Sequence, residues 1–305
     1  MQVYENVQQM VGNTPMLKIN SFDFPEKVKI FAKLEYYNPG GSVKDRIGFY
    51  IIKKAEEMGL IKKGTTIIEA TAGNTGIGVA LAAINKGYRV IFVVPEKFSK
   101  EKQLIMKALG AEIINTPEAE GLKGAFRKVE ELKNSIKDVY IIDQFNNQLN
   151  PEAHYQTTAK EIYQQMAGDF QYLVAGAGSG GTITGIMEYL KDIKAQVKGI
   201  LVDPIGSTIG GGQCSSYKIE GIGNDFIPST LKLDYIDEII KVSDEEAFYY
   251  VEELAKREGI LVGSSSGAAM AGAIKLAKKI AEGKIVVIFP DRADRYLSKG
   301  IYSSL

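Results

Sequence analysis

From about residue 28 onward the chain alternates short, nearly continuous apolar runs with stretches of helical periodicity, and no other feature restricts its fold as much. The runs over 28–34, 66–70, 89–94, 112–115, 139–142, 172–175, 197–202, 236–242 and 284–289 have the length and β-branched content of strands. Between them, 42–58, 74–86, 100–109, 122–134, 152–166, 182–191, 244–258 and 266–282 read as helices. Strands that are apolar along their whole length are buried on both faces, the condition of a parallel sheet covered by helices on each side. We therefore expect an α/β protein with two open, twisted, mainly parallel sheets flanked by helices. The rhythm breaks near 143–150, at Asn146, Asn147, Asn150 and Pro151, and 206–228 is a Gly/Ser-rich irregular stretch. In such sheets ligands bind beyond the C-terminal ends of the strands, so the loops that follow strands are where chemistry is to be sought.

Composition removes several kinds of chemistry. The 305 residues carry 37 Lys+Arg against 37 Asp+Glu, so there is no cationic excess to bind a polyanion, and no nucleic-acid partner is expected. A single cysteine, Cys214, excludes an intramolecular disulfide and a thiolate zinc cluster. A single histidine, His154, excludes a multi-histidine metal site, and for both residues we expect structural roles. No segment approaches the roughly 20 apolar residues of a membrane span, and 1–12 does not read as a secretory signal, so a cytoplasmic protein without a membrane partner is expected. Chemistry then falls to Lys, Ser, Thr, Asp, Glu or Tyr, or to a cofactor.

Four loops stand out. Gly176, Ala177, Gly178, Ser179, Gly180, Gly181 and Thr182 follow a strand and open a helix, an arrangement in which backbone N–H groups and the helix N-terminus bind a phosphate. The same loop satisfies G-x-G-x-x-G, with Asp203 where a ribose-binding carboxylate belongs, which keeps a nicotinamide-dependent dehydrogenase built on Gly176 to Gly181 open. The segment Asn38, Pro39, Gly40, Gly41, Ser42, Val43, Lys44 leaves another strand and places Lys44 in the first turn of a helix. The helix N-terminus has the same sign as an ammonium, lowers its pKa and favours the neutral amine able to form a Schiff base, the alternative being a solvated surface lysine. In Thr71, Ala72, Gly73, Asn74, Thr75 and Gly76 a strand ends and a helix begins, suiting a carboxylate or a plain helix cap. Gly263, Ser264, Ser265, Ser266 and Gly267 have the same form.

In this order the four loops resemble the β-family of pyridoxal-phosphate enzymes, fold type II and tryptophan synthase β-like, the group containing cysteine synthase and cystathionine β-synthase. The resemblance runs from Val11, Gly12, Asn13, Thr14 and Pro15 to Tyr296, Leu297, Ser298 and Lys299. It implies that Lys44 carries pyridoxal 5'-phosphate and acts as the catalytic base, and that Gly178, Ser179, Gly180, Gly181 and Thr182 cradle its phosphate. Asn74 would hydrogen-bond the cofactor's ring oxygen and Ser265 would face the pyridine nitrogen. Thr71, Ala72, Gly73, Thr75 and Gln144 would hold the substrate carboxylate, with Glu220 facing either an acceptor's ammonium or a nearby cation.

The implied reaction is β-replacement on O-acetyl-L-serine or serine through an α-aminoacrylate. The acceptor is a sulfur nucleophile, sulfide giving cysteine or homocysteine giving cystathionine. An alternative is β-elimination or β-replacement on cysteine, releasing hydrogen sulfide. The segments 202–207 and 217–228 are more similar to cystathionine β-synthases than to plain cysteine synthases, and 71–76, 94–99, 264–267, 289–291 and 294–302 are similar to a short bacterial branch, the O-acetylserine-dependent cystathionine β-synthases. The family also implies a homodimer, a smaller mobile α/β domain over 41–145, and a larger cofactor-binding domain made of 1–40 and 146–305. Two departures are visible: Ala72 stands where many cysteine synthases have serine, and Lys232 lies near a position where the family commonly has aspartate.

Overall fold

The computed structural model describes residues 3–71, 73–96 and 99–302. Two sheets form. The larger takes in β1 (Met16–Ile19), β2 (Val28–Leu34), β7 (Tyr172–Gly176), β8 (Lys198–Pro204), β9 (Glu238–Val242) and β10 (Gly283–Phe289), in the order β1-β2-β10-β7-β8-β9. The smaller contains β3 (Thr66–Ala70), β4 (Arg89–Pro95), β5 (Glu112–Thr116) and β6 (Val139–Ile141), in the order β5-β4-β3-β6. Every pairing is parallel except that of β1 with β2 at the edge. All five residues of β3 are buried, as a doubly covered strand requires. The helices are α1 (Lys44–Glu57), α2 (Asn74–Ala83), α3 (Lys100–Ala108), α4 (Gly121–Ser135), α5 (Leu149–Gln156), α6 (Thr158–Gln165), α7 (Gly181–Asp192), α8 (Asp244–Glu258) and α9 (Ser264–Ala277).

The structure departs from the sequence expectation in instructive places. The single helix expected over 152–166 is two, broken at Thr157 (φ −123°, ψ −76°), whose hydroxyl donates to the Ala153 carbonyl at 2.7 Å. The halves serve different neighbours: Pro151 and His154 of α5 lie against Gly185 of α7, while Glu161 of α6 reaches Arg46. The helix expected over 74–86 stops at Ala83, because Asn85 and Gly87 adopt left-handed backbone (φ 61° and 76°). Strand β1 escaped the periodicity because, of its four residues, only Ile19 is buried. No helix among the described residues is long and apolar enough to cross a membrane.

Helices α1 and α2 cross in backbone contact. A Cβ on Gly48 would collide with the Gly78 carbonyl, and one on Gly78 with the Lys44 carbonyl. These two glycines therefore bring the N-terminus of α1 beside that of α2, which no larger residue allows at this separation.

The start of α1 is anchored by buried charge. Arg46 donates to Glu35 from Nε at 2.7 Å and from Nη2 at 2.8 Å, and to Glu161 from Nη1 at 2.6 Å and Nη2 at 2.7 Å. Lys33 reaches Glu161 at 2.7 Å, the Thr14 carbonyl at 2.8 Å and Gln165 at 2.9 Å. Two cations thus meet two carboxylates, joining β2, α1, α6 and the segment before β1. Burial by itself raises the Glu161 carboxyl; Arg46 and Lys33 more than reverse this and hold it down at about 2.

A carboxyl depressed in the folded state stabilises it above the unfolded value of about 4.3, and that contribution fades as pH falls through the folded value. Glu161→Gln is expected to be less stable than the parent at pH 7, and the difference, followed by urea denaturation, is expected to shrink between about pH 5 and pH 2. A pH-independent difference would show that Glu161 is not ionised in this cluster.

Candidate active site

Strand order locates the site. In the larger sheet the chain runs β7, β8, β9 in one direction and then returns to place β10 on the other side of β7, so the sheet's switch point lies between β7 and β10. In the smaller sheet β3, β4, β5 run one way and β6 returns beside β3. The loops leaving these four strands are 177–180, 290–292, 71–73 and 142–148. The loop after β2, a neighbour of β10, carries Lys44. One cleft is lined by Lys44, Gly176, Gly178, Gly180, Thr182, Gly221, Ile288 and Pro290 among others.

Lys44 is the first residue of α1, its backbone N–H donating to Ser42 Oγ at 3.2 Å. Its ammonium has no hydrogen-bond or ion-pair partner among the described residues. Burial lowers its pKa from 10.5 to about 8, and the nearby Asp291 carboxylate limits the fall. The direction agrees with the sequence expectation; its main cause is loss of water, where the helix N-terminus alone had been invoked.

The loop from Gly178 to Thr182 enters α7 through Gly180 in left-handed conformation (φ 80°). The backbone N–H groups of Gly178, Ser179, Gly180, Gly181 and Thr182 find no acceptor among the described residues. Five donors at a helix N-terminus, in a cleft that also holds an unpaired amine, match a phosphate on a molecule that an amine can capture. The glycines serve a purpose different from the one read in the sequence. A Cβ at Gly176 would meet Ile222, at Gly178 the Gly221 carbonyl, at Gly180 Leu231 and at Gly181 Asn150. They let neighbouring segments pack closely against the loop, which Gly223 and Asn224 also brace, donating to the Ala177 carbonyl at 2.8 Å and the Gly178 carbonyl at 2.7 Å.

His154 stands behind the same cradle. Its Nε2 lies 3.1 Å from Thr182 Oγ1 and its Nδ1 2.8 Å from Thr158 Oγ1. Burial, with the charges of Lys44 and Arg46, lowers its pKa to about 3, so the ring is neutral and orients a hydroxyl of the loop. Cys214 is exposed. Asp203 is buried, accepting from Gly210 N at 2.9 Å and Lys241 Nζ at 2.6 Å, and is thereby unavailable to a ribose.

Across the cleft, Thr71 accepts from Gly73 N at 3.1 Å and Thr75 donates to Gln144 Oε1 at 2.5 Å. Ala72 lies outside the described residues. Glu69 places Gln144: its Oε2 accepts from Asp143 N at 2.7 Å, holding the turn in which Asp143 is left-handed (φ 51°). Burial pushes the Glu69 carboxyl up to about 8, against the pull of the Asp143 and Gln144 amides. Ser265 is buried in the first turn of α9 and its hydroxyl makes no hydrogen bond among the described residues. Glu220 pairs with Lys102 of α3 at 3.0 Å, and that ammonium also sits 4.1 Å from the centre of the Tyr296 ring. Lys232 pairs with Glu188 at 2.7 Å, in a separate surface groove with Gln148, Glu152 and Tyr155. Asn74, at the start of α2, donates to Asp291 Oδ2 at 2.6 Å and accepts from Arg295 Nη1 at 2.6 Å. Sequence reasoning gave no role to Glu69, Lys102, Asp291 or Arg295.

With this geometry in place, comparison with known proteins decides the family. The pyridoxal-phosphate dependent enzyme family matches residues 7–291. The chain belongs to that family. It is 49% identical over 303 residues to an O-acetylserine dependent cystathionine beta-synthase of Bacillus subtilis, covering 99% of each chain. It is 52% identical over 300 residues to a cysteine synthase of Helicobacter pylori, covering 97% of this chain and 98% of the relative. The crystal structure of an O-acetylserine dependent cystathionine beta-synthase from Helicobacter pylori superposes with a TM-score of 0.96 at 50% identity, over 99% of this chain and 100% of that one. The unpaired Lys44 amine and the unsatisfied N–H groups of 178–182 suit the amine-reactive carbonyl and the phosphate of pyridoxal phosphate, the cofactor of the family.

A Lys44 amine with a pKa of about 8 ionises well before ordinary lysines. In the cofactor-free protein, acylation of Lys44 by an amine-selective reagent, mapped by peptide mass spectrometry, is expected to rise to half its plateau near pH 8. Modification that follows the exposed lysines, rising only near pH 10.4, would contradict the burial argument.

Proposed function

We propose that this chain catalyses pyridoxal-phosphate-dependent β-replacement on O-acetyl-L-serine, joining a sulfur nucleophile to Cβ in place of acetate. Homocysteine gives cystathionine and sulfide gives cysteine. The observation that carries the proposal is the unpaired Lys44 amine in one cleft with the 178–182 cradle, in a chain about half identical to enzymes named for these two reactions.

Each part of the cleft takes one task. When bound, pyridoxal phosphate supplies the electron sink that lets an α-proton leave and a β-substituent depart. The amides of Gly178, Ser179, Gly180, Gly181 and Thr182, with the Thr182 hydroxyl oriented by His154, hold the phosphate. Ser265 offers a neutral hydroxyl to the ring nitrogen, and Asn74 an amide N–H to the ring oxygen. Thr71, Gly73, Thr75 and Gln144 grip the substrate carboxylate at the N-terminus of α2, where the helix field favours a negative charge. That grip orients the α-carbon toward Lys44. The Lys44 amine then takes the α-proton at Nζ as general base and later returns it to the same carbon. Its lowered pKa keeps a usable neutral fraction near pH 7. Glu220 meets the ammonium of an amino-acid acceptor by exchanging its Lys102 partner. We read residues 41–145 as the unit that closes over the carboxylate and excludes water.

Purified protein loaded with pyridoxal phosphate is expected to form cystathionine from O-acetylserine and homocysteine, and cysteine from O-acetylserine and sulfide, both read by mass spectrometry. Lys44→Ala is expected to slow either product by about 10²-fold to 10⁴-fold, the range of general acid-base catalysis, or more. Absence of both products with O-acetylserine and with serine, while cofactor is bound, would overturn this function.

A further inference from the structure

Asn74 is the first residue of α2, and its side chain is held by two residues far along the chain, in the segment after β10. An asparagine amide has one acceptor oxygen and a nitrogen with two N–H groups. A guanidinium can only donate, so Arg295 Nη1, 2.6 Å away, fixes which end of the amide is the oxygen. A carboxylate accepts, so Asp291 Oδ2, also 2.6 Å away, fixes the nitrogen. Turning the amide over would set N–H against guanidinium and oxygen against carboxylate. Both charged partners are nearly out of water, Asp291 at 1% and Arg295 at 5% exposure, where such hydrogen bonds are strongest.

The clamp is itself clamped. Arg295 Nη2 donates to the Gly40 carbonyl, and the guanidinium lies where a Cβ on Gly41 would come within 2.6 Å of it. The same group therefore touches the turn that delivers Lys44 and the amide that opens α2. Asp291 accepts from the Tyr296 hydroxyl and bridges Ser42 in antiparallel fashion, while Val43 N donates to the Pro290 carbonyl at 2.8 Å. Asp291 also supplies the negative charge that moderates the fall in the Lys44 pKa.

We propose that Arg295 and Asp291 are positioning residues that hold the Asn74 amide in a single orientation, with one Nδ2 N–H left unspent for the ring oxygen of the cofactor. Retention of the cofactor then depends on the C-terminal segment through Asn74. This rests on reading the cleft as a pyridoxal-phosphate site.

The test is a double-mutant cycle on cofactor affinity, measured by equilibrium dialysis of the cofactor-free protein against pyridoxal phosphate, with thermal melts of each cofactor-free variant as the folding control. Asn74→Ala is expected to weaken binding about tenfold or more, the loss of one charge-assisted hydrogen bond. Arg295→Lys keeps the charge but loses the two-pronged reach, and is expected to weaken binding about threefold or more in the parent. In the Asn74→Ala background the same change is expected to do nothing further. A purely structural Arg295 would lower affinity by the same factor with or without Asn74, and that result overturns the proposal. If Arg295→Lys does not melt cooperatively, Arg295→Gln takes its place in the cycle and is read in the same way. Failure of the parent to bind pyridoxal phosphate would overturn the site reading and the proposal with it; binding with independent losses overturns the proposal alone.

Discussion

The Arg46 guanidinium, buried between Glu35 and Glu161 two residues beyond Lys44, is the interaction on which the rest of the site depends. It ties the first turn of α1 to the end of β2 and to α6, so the helix that carries Lys44 can neither slide nor roll. Removing one partner of such a buried pair typically costs 3–5 kcal/mol, about as much as the total stability of a marginal domain. The Gly48–Gly78 contact then docks α2 on the anchored helix, and Asn74 arrives beside Lys44 as a consequence. The geometry at Lys44 is inherited from a salt-bridge cluster and from a glycine crossing that meets Lys44 at its backbone carbonyl.

Electrostatics at the cleft follow from topology. Helices α1 and α7 begin in loops that line it, through Val43 and Lys44 and through Gly180 and Thr182. The start of α7 contributes partial positive charge from amides with no acceptor among the described residues, which suits a phosphate. The same setting, with burial, disfavours an ammonium and lowers the Lys44 pKa. Asp291 tempers that effect, since without a carboxylate nearby the amine would lose still more of its basicity. A chain whose charges balance overall thus concentrates anion affinity in one place.

The strands and the chemically distinctive loops were legible in the sequence because each is a local pattern. Continuous apolar runs such as 66–70 announce burial on both faces, and Gly/Ser/Thr loops before helices announce free amides. Lys44, Asn74 and the 178–182 loop are found after strands, where that logic put them, whereas Gln144 was named only through the family resemblance. What stayed hidden depends on partners distant in sequence. Asn74 and Arg295 are 221 residues apart, and Lys102 and Glu220 are 118 apart, so their contacts exist only once β10 has returned beside β7 and α3 has met the 217–223 loop. The glycines show the limit most clearly. Their abundance near the cleft was visible, but their purpose is to admit Ile222, Leu231 and Asn150 against the loop, and this requires knowing what packs there.

The central claim is that Lys44, and no other lysine, holds the cofactor. Borohydride reduction of the purified protein followed by peptide mass mapping tests it most directly. The account predicts a single phosphopyridoxyl group, on the peptide containing Lys44, and none in Lys44→Ala. Reduction that leaves the group on any other lysine, or leaves Lys44 unmodified in protein that carries the cofactor, would contradict it.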